Sequence, residues 1–200
     1  MKITAIKQQV KRLDRFSIFV DDKYSFSLGE SELIASGVHT GQELTKGELD
    51  KFKERSKLDK IYGLALNLVA RRPRSEKELR DYLRRKKHDE DNSASIINKL
   101  KDHKLLDDND FAHRWVENRR LLKPISKRRL IQELRQKGIS SETIDQVLAE
   151  DETTDRETLK DLIERKRRQT KYRDDTKLMQ YLARQGYSYD DIKSVMNSED

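Results

Sequence analysis

Sixteen of the 44 lysines and arginines fall in five tight runs: Arg71-Arg72-Pro73-Arg74, Arg84-Arg85-Lys86-Lys87, Arg119-Arg120, Lys127-Arg128-Arg129 and Arg165-Lys166-Arg167-Arg168. With Lys77 they form the candidate binding set. Cations in series suit a polyanion, because each neutralised phosphate releases condensed counterions. A single run also has a plainer reading, since cations near a helix C-terminus are favoured by the helix dipole. Recurrence is what favours binding: one run ends the first helix of a recurring unit, and another flanks the second helix. The net charge is +7. Residues 55–106 hold fifteen Lys and Arg against eight Asp and Glu, so the excess is concentrated there. Nothing in the sequence points to base readout, for there is no aromatic-rich strand or recognition motif.

No other chemistry is nominated. The histidines His39, His88, His103 and His113 have no metal-ligand spacing and read as solvated. There is no phosphate-cradling G-x-x-x-x-G-K-[ST] loop, no G-x-G-x-x-G and no G-x-S-x-G elbow. The carboxylates lie among Lys and Arg, as in ordinary helix-surface pairing. No catalytic residue, metal or cofactor is expected. There is no cysteine, which fits a reducing compartment. With no apolar run of spanning length and no signal segment, a cytoplasmic protein, without a membrane partner and monomeric, is expected.

Helices must position the basic runs. Charged residues make up 40% and apolar ones 34% of the 200 residues, a balance that suits a thin assembly better than one thick globule. Residues 2–28 alternate as strands, with a hairpin turn at Asp21-Asp22-Lys23 that lacks the preferred Gly. Residues 30–36 and 45–55 read as short helices, separated around Gly37 and Gly41. Beyond Arg55 the period is helical, and a repeat emerges. Ser75, Ser126 and Asp174 are each followed at four and eight residues by leucines: Leu79 and Leu83, Leu130 and Leu134, Leu178 and Leu182. Ser and Asp are N-caps, whose loss typically costs about 1 kcal/mol. Glu78 completes a capping box with Ser75. Four residues after the second Leu stand Gly138 and Gly186, suited to a left-handed C-cap, where the first copy has Lys87. Ser140 and Ser188 then cap a third helix carrying Ile144, Val147 and Leu148, or Ile192, Val195 and Met196.

The first helix of each unit carries Ile61, Ala65 and Leu68, then Phe111 and Trp115, then Leu159 and Ile163. The i, i+4 spacing of Phe111 and Trp115 reads as core. Pro73 and Pro124 mark the same corner. The fold class is mainly α: tandem three-helix repeats, elongated and curved, behind a small N-terminal head containing a β-hairpin. The divisions are 1–54 for the head and 55–106, 107–150 and 151–200 for the repeats. One repeat has too few apolar residues to stand alone. Stacking adds roughly 1.5–3 kcal/mol for each fully buried Leu or Ile.

Three segments resemble a known family. Arg72-Pro73-Arg74-Ser75-Glu76-Lys77-Glu78-Leu79 is similar to the R-x-x-S-x-x-E-L motif of the RecX family. Leu105-Leu106-Asp107-Asp108-Asn109-Asp110-Phe111-Ala112 is similar to its L-[LI]-[DN]-D-x-x-[FY]-A motif, and Glu133-Leu134-Arg135-Gln136-Lys137-Gly138-Ile139 to its E-L-x-x-K-G-I segment. They stand in family order over residues 60–150. The resemblance implies a non-enzymatic regulator of RecA, the recombinase that forms filaments on single-stranded DNA. It implies tandem three-helix units lying along the filament groove and dampening ATP hydrolysis and strand exchange, in recombination, DNA repair and the SOS response. It also allows direct DNA contact. Copy one departs in its acidic insertion at residues 88–92, and copy three in having Asp at the cap. The alternative reading is a stand-alone DNA-binding helical repeat.

Overall fold

β-Branched and aromatic residues alternating with polar ones fold the start of the chain into three antiparallel strands, β1 (Ile3–Gln8), β2 (Arg15–Val20) and β3 (Lys23–Gly29), in that spatial order. The computed structural model describes residues 1–198. The hairpin closes without glycine because Asp21 and Asp22 both take positive φ, 48° and 63°, as a two-residue turn matched to strand twist requires. Short-side-chain acids tolerate this region better than most residues. Ile3, Ile18, Phe26 and Leu28 turn inward against Val38, Leu44 and Leu49. A short helix, α1 (Glu30–Ser36), follows the sheet and ends at Gly37.

The expected helix at 45–55 and the expected helix carrying Ile61, Ala65 and Leu68 are one continuous helix, α2 (Lys46–Val69). A capping box of Thr45 and Glu48 starts it. The apolar stripe misled because α2 serves two cores. Leu49 and the partly buried Phe52 face the sheet, whereas Ile61 and Ala65 are buried further along. A buried ion pair fastens the sheet to the middle of this helix. Arg15 Nη1 lies 2.9 Å from Asp59 Oδ2, which also accepts from the Gly29 amide at 2.9 Å. Ser56 Oγ donates to the Ser27 carbonyl at 2.7 Å.

The remaining helices are α3 (Glu76–Arg85), α4 (Glu90–Asp102), α5 (Asp108–Leu122), α6 (Lys127–Gln136), α7 (Ser141–Glu150), α8 (Asp155–Arg167), α9 (Asp175–Arg184) and α10 (Tyr189–Met196). The paired leucines of α3, α6 and α9 are all fully buried. Ser126, Ser140, Asp174 and Ser188 each accept a backbone N–H as N-caps. Ser75 likewise accepts from the Glu78 amide at 3.2 Å, while the Glu78 carboxylate meets Lys137 at 2.5 Å. The left-handed turn recurs in all three copies: φ is 60° at Lys87, 82° at Gly138 and 96° at Gly186.

The chain clusters into two compact units. One comprises residues 1–72 with 79–105; the other comprises Pro73–Glu78 with the chain from Leu106 on. Within the second unit, one joint occurs twice. Ser75 Oγ donates to the Lys137 carbonyl at 2.7 Å, and the Glu76 amide to Asp108 Oδ1 at 2.7 Å. In the other, the Ser126 amide donates to the Gln185 carbonyl at 3.1 Å, and the Lys127 amide to Asp155 Oδ1 at 2.8 Å. The start of a helix's first turn thus sits on a later left-handed turn, with an aspartate on its orphan N–H groups. Close approach there requires glycine. A Cβ on Gly138 would stand 2.6 Å from Lys77 Cβ, and one on Gly186 would stand 2.8 Å from Arg129 Cβ. Lys87, at the matching turn of the first copy, is exposed and holds φ at 60° without glycine.

Candidate functional site

Trp115, on α5, is the centre of a cation–aromatic cluster in the second unit. The helix is started by Asp107, which accepts from the Asn109 and Asp110 amides at 2.8 and 3.2 Å. That start buries Phe111, Ala112 and Val116 against α6 and α7. Trp115, one turn after Phe111 and stacked on it at 5.6 Å, is only partly buried. Its indole Nε1 donates to Glu133 Oε2 at 3.0 Å, and Arg119 Nε donates to the same oxygen at 2.7 Å. The Arg119 guanidinium lies 4.6 Å and the Lys137 ammonium 4.8 Å from the ring centroid. Arg129 approaches the other Glu133 oxygen at 3.8 Å, and Arg74 approaches Glu78 at 3.7 Å. Arg119 and Arg129 thus meet the Glu133 carboxylate, and Arg74 and Lys137 the Glu78 carboxylate. The core reading of Trp115 is corrected in part: one face packs, and the polar edge and cations meet the surface.

A related arrangement occurs in the third repeat. Lys166 lies 4.6 Å from the Tyr181 centroid and 5.4 Å from that of Tyr172, and the two rings are 5.2 Å apart. Counted from the N-caps Asp107 and Thr154, Lys166 holds the place of Arg119. Arg167 is drawn aside to Asp175 at 2.8 Å. Arg165 and Arg168 are exposed.

Not every basic residue joins these clusters. Arg120 is internal. Its Nε and Nη2 reach Asp151 Oδ2 at 2.9 and 2.8 Å, and its Nη1 donates to the Ile125 carbonyl at 3.0 Å and Thr158 Oγ1 at 3.3 Å. It ties the second repeat to the third. Beside this network the Tyr187 hydroxyl is buried, and burial first, then the Asp155 carboxylate, pushes its pKa well above the phenol range. Lys127, Arg128, Arg71, Arg72 and Lys77 are exposed. At the end of α3, Arg84, Arg85, Lys86 and Lys87 are exposed too. Arg84 pairs with Asp81, and Lys86 lies 5.9 Å from the Tyr82 centroid.

The sequence reading missed Lys137, Tyr172 and Tyr181 as members of this surface. Lys137 stood alone rather than in a run. The signal available was its place just before Gly138, at a turn that returns it towards α5. Among the described residues no group of three or more His, Cys, Asp or Glu side chains could hold a metal ion, and no helix is long and apolar enough to cross a membrane.

Comparison with known proteins gives these features a context. The N-terminal domain model of regulatory protein RecX matches residues 1–45. The first, second and third three-helix domain models of RecX match residues 62–100, 107–148 and 154–196. Regulatory protein RecX of Bacillus subtilis is 33% identical, over 98% of this chain and 76% of its own length. That of Clostridium botulinum is 30% identical, over 98% and 94%. Listeria monocytogenes RecX is 35% identical over 75% of the chain, and the match spans only 56% of that relative's length. A crystal structure of regulatory protein RecX superposes with a TM-score of 0.73 at 28% identity, covering 98% of both chains. The RecX crystal structure from Lactobacillus salivarius gives 0.57 at 27%, covering 70% of this chain and 95% of that one. The paired leucines, the repeated Ser–Asp joint and the left-handed turns lie inside the matched three-helix domains, and the chain belongs to the RecX family of regulatory proteins.

Proposed function

We propose that the chain is a non-enzymatic, cytoplasmic regulator that binds along a RecA-type filament on single-stranded DNA and dampens its ATP hydrolysis and strand exchange. Family membership makes RecA the first partner to test. The observation that carries the reading is the cation–aromatic cluster, present as Trp115 with Arg119 and Lys137 and again as Lys166 with Tyr172 and Tyr181. Cations held beside rings can meet acidic protein surface or phosphate alike. The basic runs at Arg71, Arg72, Arg74 and Lys77, at Arg84–Lys87 and at Lys127–Arg129 serve as further points of attachment, while Arg120 holds repeats together. The working divisions are a head of residues 1–54 and repeats 55–106, 107–150 and 151–200, acting as a monomer.

Adding purified protein to RecA on single-stranded DNA should lower ATP hydrolysis and slow strand exchange; no effect at stoichiometric protein would sink the reading. The second reading, direct DNA binding without a recombinase, is favoured by the charge excess in residues 55–106. It predicts salt-dependent binding in the absence of RecA. Replacing Arg71, Arg72 and Arg74 would then reduce the salt slope by roughly 0.7 per lost phosphate contact.

A further inference from the structure

Where the head meets the first repeat, a basic cleft belongs to none of the basic runs. It has a volume of about 280 Å³ and lies within the first unit, between α2 and the start of β3. Lys53, Lys57 and Lys60 line one wall; Tyr24 and Ser25 line the other, with His88 also at the lining. The three lysines stand four and three residues apart on α2, so they form one row with rises of about 6 and 4.5 Å. All three are exposed.

Local backbone chemistry shapes the opposite wall. Strand alternation alone would put Tyr24 on the inward face with Phe26 and Leu28. The β2–β3 register instead shifts, pairing Ile18 with Phe26 but Phe19 with Tyr24, so that Ser25 is an extra residue. A one-residue bulge turns the preceding side chain to the other face. Tyr24 is 54% exposed as a result. His88, expected to be solvated, is partly buried. Its Nε2 is shielded from solvent and has no hydrogen-bond partner in the described structure. The acids nearby are Asp89, 3.5 Å from Lys57 Nζ, and Glu54, 3.9 Å from it. The Asp89 carboxylate already accepts from the Asn92 amide as the cap of α4.

We propose that this cleft is a subsite for a single nucleic-acid strand, with Lys53, Lys57 and Lys60 on successive phosphates and Tyr24 offering its ring to a base. Compact ammonium groups in a row beside an exposed aromatic are the two parts of a sequence-tolerant single-strand site. An acidic peptide would use the lysines but has no base to stack on Tyr24. The site shares no residue with the cation–aromatic clusters, and it needs no recombinase.

Amine-reactive footprinting of the full chain, with and without an oligothymidylate, reads the cleft directly despite the other basic surfaces. Saturating oligonucleotide should slow acetylation of Lys53, Lys57 and Lys60 several-fold while leaving exposed Lys11 unchanged. Substituting all three lysines by Gln should lower the salt slope of binding by about 2. Tyr24→Ala should weaken binding about fivefold or more. Unchanged acetylation of the three lysines would overturn the proposal, as would equal protection by a polyglutamate peptide. Because no RecA is present, neither result bears on the filament reading.

Discussion

Arg120 and Arg128 come from neighbouring basic runs and look interchangeable in the sequence, yet their surroundings differ. The Arg120 and Asp151 side chains are each only 10% exposed, whereas Arg128 is exposed. Removing one partner of a buried pair leaves an uncompensated charge. Arg120→Ala is therefore expected to lower the free energy of unfolding by about 3 kcal/mol, and Arg128→Ala to stay within about 0.5 kcal/mol of the parent. Urea denaturation of both variants checks this, and equal effects would refute the assignment of Arg120 to the joint. Residue types and runs could be read from the sequence; their partners could not. Asp151 lies 31 positions from Arg120, and Lys137 lies 22 from Trp115, distances that only folding closes.

Elements were more legible, because caps and turns are local. Ser126, Ser140 and Ser188 cap where a Ser before an apolar period should, and the αL turns fall where Gly138 and Gly186 were expected. Two features escaped. The continuity of α2 was hidden because its buried side changes partner along its length, and the Ser25 bulge was hidden because it lies in pairing register rather than in alternation. The turns give a test of their own. Gly186→Ala should cost roughly 3 kcal/mol, from the left-handed dihedral and the crowding by Arg129. Lys87→Gly should instead stabilise by about 0.5 kcal/mol, relieving the dihedral at some cost in unfolded-chain freedom. Thermal melts decide both signs.

Caps give a pH dependence as well. Backbone N–H bonds, first from Lys177 to Asp174 and from Asn92 to Asp89, hold both carboxyls below the ordinary aspartate range. Hydrogen bonds with Thr154 do the same for Glu157, the side-chain bond being the larger cause. Each folded pKa lies below its unfolded value. The stability they contribute is present above the unfolded value and is lost as pH falls through the folded one. Asp174→Asn keeps a good cap that does not titrate. It should match the parent at neutral pH and lose less stability in acid, as followed by circular dichroism; an identical acid profile would count against the cap's role.

At the scale of the whole molecule, the mainly α class and the three-helix periodicity were legible, since each copy repeats the same buried leucines. How a copy engages the next was not, because every hydrogen bond of the joint has a backbone group on at least one side, and the partners lie 28 to 62 residues apart. It nevertheless has a consequence for coupling. Asp155 holds the Lys127 amide in the preceding repeat at 2.8 Å, so Asp155→Ala should speed hydrogen exchange at Lys127. Unchanged exchange there would show that this hydrogen bond does not protect the start of the preceding repeat's helix. The left-handed turn also works as punctuation for the array. Glycine marks a copy that accepts a predecessor's helix start; lysine, at residue 87, marks a copy that opens the series. Modules of this chain are then not freely permutable. A copy bearing lysine at that turn can stand at the head of the row but cannot be inserted within it.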